Sequence, residues 1–337
     1  MNTNPLLAAW DTPYGLPPFN AIKPEHFAPA FEAAMAEHRA EVDAIAANPE
    51  PPTFQNTVAA LDRSGQAYAR IIGVFFNLTA SETSDALQAA ERDLMPKIAA
   101  HQSWLSLHAG VFKRVDDLYK KRAGLGLSPE ELRLLERVHL DYVMEGALLV
   151  GDARARYAAI TEELAGLFTT FSQSVLGDEA AFCLKLETEA DRAGLPEFVL
   201  DAAKSVAQEK KLDGYAINLS PSLVDPFLTY STRRDLRERV WRAFKARGEA
   251  CPERDTRPVA EKILRLRAEL AGLMGYKNFA DYALVDRMAK KPAAVDDLLM
   301  RVWEPARARA VQEQKDLEEL AAREGFKGPI MGWDWNF

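Results

Sequence analysis

The sequence predicts a mostly α-helical fold with one small β element near residues 181–220. Apolar residues recur every three or four positions through most of the 337 residues, the spacing of a helix that buries one face. Only residues 181–187 and 215–219 alternate apolar and polar side chains in twos, as short strands do. No internal repeat of fixed period is present, so we expect a globular multi-helix protein.

The first 22 residues predict an extended arm rather than a helix. Four prolines interrupt this stretch, and three aromatic side chains can anchor it to a surface: Trp10, Tyr14 and Phe19. Residues 24–47 then show helical spacing, and the cluster of prolines at 49–52 ends that helix.

Further helices are predicted up to residue 119. Two lie between residues 53 and 78; Thr53 can cap the first, and the second is apolar on most sides, which predicts burial. Residues 85–119 have helical faces with interruptions only at Pro96 and Gly110.

The next helix has the clearest start in the chain. Ser128 can cap it, Pro129 suits its first turn, and Glu131 completes a capping box. Another helix is predicted at about 152–175, and a third at about 196–209 lies between the two predicted strands.

Pro221 and Pro226 predict a break before an amphipathic helix at 231–247, which Ser231 or Thr232 can cap. The six arginines of this helix alternate with acidic residues. We interpret that pattern as a solvated face with salt bridges rather than a phosphate-binding face.

Three more helices follow. One is predicted at 258–274 and a short one, capped by Asn278, at 278–288. The last runs over residues 292–324, and Pro305 is expected to kink it.

Charge and cysteine content exclude several classes of function. The formal net charge of -8 argues against nucleic-acid and anionic-membrane surfaces, which require clustered positive charge. Two cysteines, Cys183 and Cys251, are too few for a disulfide framework and favour a reducing compartment. No apolar run approaches the ~18 residues of a membrane span, and the first ten residues do not resemble a signal peptide. We therefore expect a cytoplasmic protein with no membrane partner.

No metal site can be assigned from the histidines. A zinc hydrolase motif places two histidines four residues apart with a glutamate between them, and no such pair exists here. His101 and His108 are seven apart without an intervening acid, which favours a structural role. Glu136 and His139 form a single Glu-x-x-His, whereas a di-iron bundle requires two.

Motifs for covalent catalysis and nucleotide binding are also missing from the sequence. There is no Gly-x-Ser-x-Gly, no Walker loop and no Gly-x-Gly-x-x-Gly, and neither cysteine has a histidine nearby along the chain. We expect Cys183 to be packed in a strand and Cys251 to lie in a loop. The residues by themselves identify no active site.

The final six residues contain three aromatic side chains in five positions: Trp333, Trp335 and Phe337. Side chains of this size rarely project into water without a role. They either fold back onto the chain's own core, for example on the helix at 292–324, or form an interface with other protein. We carry all three as candidate interface residues.

Several stretches resemble the M3 family of zinc oligopeptidases, in particular the branch of oligopeptidase A and peptidyl-dipeptidase Dcp. The match covers essentially the whole chain and lies in the order and spacing of the following segments: NPLL at 4–7, PFNAIKPEHF at 18–27, PTFQNT at 52–57, LGLSPE at 125–130, GLP at 194–196, FLTYSTRRDLR at 227–237, LRLRAE at 264–269 and LMGY at 273–276. The family's Trp-Asp-Trp is similar to residues 333–335.

The resemblance implies a neurolysin- and Dcp-like N-terminal region of a two-lobed helical fold around a deep channel, in which zinc-activated water cleaves short peptides. It divides the chain into an arm at 1–22, a helical N-terminal lobe at 23–176, and a helical region with the small β insertion at 177–337 that begins the channel wall. The family's zinc ligands and catalytic residues belong to the second half of its chains, which this sequence lacks. We therefore expect no zinc or other cofactor here, and we assign no catalytic or metal residue.

Two hypotheses follow. The chain is an N-terminal portion of an M3 zinc oligopeptidase and is inactive alone, or it is a non-catalytic module that binds short peptides or a separate C-terminal catalytic half. Both predict exposed apolar surface where the second half would pack, which also provides a route to homo-oligomers. An enzyme of another class would require a pocket that brings, for instance, Cys251 to a histidine.

Overall fold

The computed structural model describes residues 4–82 and 84–337, and it confirms the mostly α-helical prediction. The chain forms two compact units, Met1–Val150 and Gly151–Phe337. The region boundaries expected from the sequence stay a prediction. Within the described residues, none of the helices has both the length and the apolar character required to cross a bilayer.

The first unit is built around its first long helix. Its helices are α1 (Phe27–Ala47), α2 (Ala59–Arg63), α3 (Gln66–Ser81), α4 (Asp85–Ser106), α5 (Ala109–Lys121) and α6 (Pro129–Met144). Phe27 and Phe31 of α1 contact Phe75 of α3 edge to face, with ring centroids 4.9 and 5.4 Å apart. Leu6 of the arm is fully buried in the same cluster, and Trp10 packs against it. The other two predicted anchors are wrong, since Tyr14 is 99% and Phe19 44% exposed.

The second unit contains the remaining elements. These are α7 (Gly151–Ala181), β1 (Leu184–Leu186), α8 (Glu197–Glu209), β2 (Tyr215–Ile217), α9 (Pro221–Tyr230), α10 (Arg234–Lys245), α11 (Arg257–Leu273), α12 (Phe279–Leu284) and α13 (Pro292–Arg323). The strands pair antiparallel, with Leu184 opposite Ile217, and α8 packs on them. A second apolar cluster joins α7 and α11 through Ile160 and Ile263. The long helix α13 has no buried residue among those described.

Two predicted breaks are wrong. Pro221 occupies the first position of α9, where its fixed φ suits a helix start, and Pro226 lies inside the same helix. Burial of neighbouring side chains such as Val224 and Phe227 offsets the hydrogen bond that Pro226 cannot donate.

The interruptions expected at Pro96 and Gly110 are also misplaced. Pro96 lies inside α4, and Gly110 is the second residue of α5. The actual break falls at Leu107 and His108, because the His108 Nδ1 atom accepts a hydrogen bond from the Val111 N–H and so caps α5.

Other helix ends differ by a few residues from the prediction. Neither Ser231 nor Thr232 is the first capping position of α10, which begins at Arg234; the Ser231 hydroxyl instead accepts from the Arg233 N–H. Asn278 does cap α12, but that helix ends at Leu284.

Candidate functional site

The candidate interface residues lie in a segment that is fixed to α10 by one buried carboxylate. Asp334 accepts hydrogen bonds from Arg234 Nε at 3.0 Å and Arg234 Nη2 at 2.8 Å, and from Arg237 Nη2 at 3.0 Å. The two arginines are three residues apart on α10, so both guanidinium groups reach the same side of the helix. The segment at 331–337 therefore folds back onto α10.

The electrostatics of this contact favour the ionised carboxylate. Burial by itself would raise the pKa of Asp334, but hydrogen bonds from Arg234, from the Met331 N–H and from Arg237 outweigh it, and the pKa lies below its ordinary value. Asp334 is thus a permanent anion at neutral pH, and it neutralises charge that α10 has buried.

Arg237 is the central side chain of the site. It is only 4% exposed, and besides Asp334 it donates from Nε to the Trp333 carbonyl at 3.1 Å and from Nη1 to the Ser231 carbonyl at 2.6 Å. The ring of Phe337 lies 3.9 Å from its guanidinium carbon, a cation–π contact. Arg237 therefore connects Trp333, Asp334 and Phe337 to α10.

Trp333 belongs to the hydrophobic core of the second unit. It is 5% exposed and packs edge to face against Trp241, with ring centroids 5.7 Å apart. Gly332 allows this approach, because a Cβ atom at that position would lie 2.5 Å from the Trp241 ring. Arg242 covers the outer face of Trp333 at 4.9 Å.

The other two candidates are much more exposed. Trp335 is 39% and Phe337 58% exposed, whereas Trp333 is buried against α10. The structure thus brings the three aromatics into one short segment but gives them different environments. Their assignment as an interface stays a prediction.

A cavity of about 400 Å³ opens beside this segment. Its walls combine apolar side chains from the end of α13 with the Arg234, Arg237 and Asp334 cluster. The apolar and aromatic lining comprises Leu317, Leu320, Ala321, Phe326, Ile330 and Phe337. Arg234 and Arg237 carry two positive charges, and the carboxylates of Asp334 and Glu324 on the same wall balance them, so the cavity is an apolar site with a neutral polar wall rather than a strong anion site.

Sequence reasoning missed the role of Arg237. The arginines of α10 were interpreted as a solvated face, and for Arg237 that interpretation is wrong. A signal was present: Arg237, Val240, Trp241 and Phe244 fall on one helical stripe, so Arg237 occupies the buried face. What the spacing could not supply was its partner, since Asp334 lies 97 residues away along the chain.

The first unit contains a second buried polar cluster. His38 Nδ1 and His101 Nε2 lie 3.0 Å apart in a hydrogen bond, and His38 Nε2 lies 3.2 Å from the Ser64 hydroxyl. Burial lowers the pKa of His38, opposed only in part by Glu41. Burial, then His38, then Arg39 lower the pKa of His101 to about 4. Both rings are therefore neutral at physiological pH.

These histidines do not fit a zinc hydrolase site. The two ring nitrogens bond to each other, and across residues 4–82 and 84–337 no group of three or more His, Cys, Asp or Glu side chains is placed to hold a metal ion. All five histidines belong to the first unit, whereas Cys183 and Cys251 belong to the second.

Comparison with known proteins gives a consistent picture. The model of Peptidase family M3 matches residues 227–337, which include α10 and the Asp334 segment. A dipeptidyl carboxypeptidase of Salmonella typhimurium is 33% identical over 100% of this chain and 50% of its own length. Oligopeptidase A of the same organism is 32% identical, over 98% of this chain and 49% of its own length.

A more distant relative has the same extent of match. The probable cytosolic oligopeptidase A of Arabidopsis thaliana is 26% identical over 100% of this chain and 48% of its own length. The chain thus spans about half the length of the curated relatives that it matches.

Proposed function

The chain is a partial member of peptidase family M3, and we propose that it forms the N-terminal, non-catalytic portion of a metallopeptidase that cleaves oligopeptides. One observation carries the proposal: the similarity extends over the whole of this chain yet covers half of the dipeptidyl carboxypeptidase. In this assignment the chain supplies part of the peptide channel, and the remainder of the peptidase supplies the chemistry.

The donor set of this chain supports that division of roles. Zinc, when bound by the whole peptidase, supplies an activated water for peptide hydrolysis. The sequence here has no two histidines at the i, i+4 spacing, and His38 and His101 are hydrogen-bonded to each other. We accordingly assign no zinc ligand and no step of the reaction to these 337 residues.

A complementation assay tests this function. The purified chain, supplied with zinc and a fluorogenic oligopeptide, is expected to show no turnover. Adding the part of the Salmonella dipeptidyl carboxypeptidase that lies outside its matched half is expected to give turnover that EDTA abolishes. Stoichiometric zinc together with EDTA-sensitive turnover by the chain alone would refute the proposal.

A second candidate function is peptide binding without catalysis, favoured by the cavity beside Phe337. An apolar side chain of a short peptide fits a cavity of about 400 Å³ that has an apolar lining. The test is a titration with short apolar peptides followed by tryptophan fluorescence, comparing the parent chain with Leu320→Lys, which places a charge on the cavity wall. Equal response of the two chains would exclude this cavity as the binding site.

We also assign the chain to the cytoplasm. Cys183 and Cys251 are both unpaired and half-buried, which suits a reducing compartment. Cell fractionation of the native organism checks this assignment.

A further inference from the structure

The long helix α13 carries apolar side chains that nothing in the described residues covers. It spans 32 residues, none of them buried. Six large apolar side chains near its middle are each between 49% and 59% exposed: Leu298, Leu299, Met300, Val302, Trp303 and Val311. Scattered single apolar residues are normal on a surface, but a cluster of six on one helix marks an interaction surface.

These side chains surround much of the helix. At 3.6 residues per turn each residue is rotated by ~100° from the last, so the six side chains, from Leu298 round to Met300 and Val311, cover an arc of roughly 220°. A helix that packs on a single surface presents an apolar stripe of only ~100° or somewhat more. The wider arc on α13 is typical of a helix that other elements enclose from more than one side.

The charges of α13 are compatible with enclosure. Arg301 pairs with Asp297, and Arg309 pairs with Glu313, each one turn along the same helix. Within each pair the two charges neutralise each other on the helix itself, so a partner that covers the apolar arc does not have to provide a counter-charge for them. The C-terminal end of α13 is different, since Leu317 and Leu320 contribute to the cavity beside Arg234.

We propose that the middle of α13, residues 298–311, is a docking surface that the remainder of the M3 peptidase encloses on more than one side. This rests on the proposed function. Two observations select this occupant over a second copy of the chain: about half of the relatives' length has no counterpart here, and two copies of one helix packed together would cover only one stripe of the arc. The partner must present an apolar groove formed by several elements.

The test uses substitutions on the two opposite sides of α13. Leu298→Glu and Met300→Glu each put a carboxylate where the partner packs, and Met95→Glu, at a methionine of similar exposure on α4, is the matched control. The chain and the remainder of the Salmonella dipeptidyl carboxypeptidase are mixed, and their association constant is measured by analytical ultracentrifugation. Each α13 variant is expected to weaken association about tenfold or more, and the control by less than about twofold.

The isolated variants provide a check on folding. Because both α13 side chains are exposed in the free chain, their substitution should leave its thermal midpoint nearly unchanged. If the remainder does not fold separately, it is joined covalently to the chain. Both α13 variants are then expected to lower the thermal midpoint of the joined protein, while Met95→Glu does not.

The outcomes separate this inference from the proposed function. Association that is insensitive to both α13 substitutions overturns the inference, and turnover by that mixture would still uphold the function. Sensitivity to only one substitution overturns enclosure from two sides. A stable homodimer of the free chain that either α13 variant dissociates assigns the surface to a second copy and also overturns it. A complex that both α13 substitutions weaken, but that shows no turnover, supports the docking surface and contradicts the proposed function.

Discussion

Asp334 illustrates how a single side chain can fix the path of a whole segment. Its carboxylate is the counter-ion of Arg237, which is buried in α10, and of the half-exposed Arg234. Removing one partner of a buried ion pair is costly, because it leaves the other charge in a medium that cannot solvate it. The attachment of Trp333 and Phe337 to the second unit therefore depends on this carboxylate.

We predict that Asp334→Asn lowers the free energy of unfolding of the second unit by about 3 kcal/mol at neutral pH. The amide keeps the shape of the side chain but leaves Arg237 without a counter-charge. Urea denaturation measures the change, and Asp235→Asn is the control, since its exposed ion pair with Arg233 should be worth less than about 1 kcal/mol. Equal effects of the two substitutions would contradict the assigned role.

The difference in unfolding free energy between the parent chain and Asp334→Asn depends on pH, and its sign can be derived. The pKa of Asp334 is lowered in the folded state, so its stabilisation is fully present above the ordinary aspartate pKa of about 3.9 and is lost as pH falls through the folded-state pKa. The parent chain and Asp334→Asn should therefore converge in stability under acid conditions.

The buried histidine pair predicts acid sensitivity in a higher pH range. The unfolded chain binds protons near pH 6.5, whereas the pKa of folded His101 is about 4 and that of His38 is also lowered. Between these values the unfolded state binds more protons, so stability falls with falling pH by up to about 1.4 kcal/mol per unit for each group. Above the unfolded-state histidine pKa of about 6.5, both states hold neutral histidines, and the pair adds no pH dependence to the free energy of unfolding.

His101→Gln should make the pH dependence shallower between about pH 6.5 and about pH 4, because one buried group no longer titrates. Urea midpoints at several pH values measure the slope. Ser103→Ala, at an exposed position on the same helix α4, removes no titratable group and is the control that should retain the parent slope. A parent-like slope in His101→Gln would show that the pair does not govern acid stability.

At the scale of the element, predictions succeeded where the signal was local. The Ser128 hydroxyl accepts from the Glu131 N–H, and the Glu131 carboxylate accepts from the Ser128 N–H, so the predicted capping box is confirmed. The two strands and α8 are likewise confirmed, but β1 covers only Leu184–Leu186, so the placement of Cys183 in a strand is wrong. Prediction failed at Pro226 and Pro96, which lie inside helices. Burial of neighbouring side chains compensates the hydrogen bond that each proline cannot donate, and the sequence alone does not show which side chains tertiary packing will bury.

Ser128→Ala is expected to destabilise α6 by about 1 kcal/mol, since both reciprocal hydrogen bonds depend on the cap. Ser103→Ala, at an exposed position inside α4, is the control and should be neutral or slightly stabilising because alanine favours helix. Urea denaturation of the two variants measures the difference. If Ser128→Ala costs no more than the control, the capping box contributes nothing measurable to the helix.

At the scale of the whole molecule, stability is distributed unevenly within the second unit. The helix α8 buries Val199, Ala203, Val206 and Ala207, whereas α13 buries none of its 32 residues. The sequence could not foresee this contrast, because both helices show apolar periodicity and only the fold determines which of them finds a partner. The family resemblance did indicate that apolar surface would be exposed, but not that α13 would carry it.

This uneven distribution predicts where the free chain opens first. Local opening costs least where few apolar contacts hold a helix, so amides in the middle of α13 should exchange with solvent faster than those of α8. Trypsin should correspondingly cut at Arg301, Arg307 or Arg309 before Lys204 of α8. Hydrogen exchange and limited proteolysis, each read by mass spectrometry, measure the order. Both helices belong to the same unit, so the comparison does not depend on a difference in stability between the two units. Equal protection of α8 and α13 would contradict the prediction.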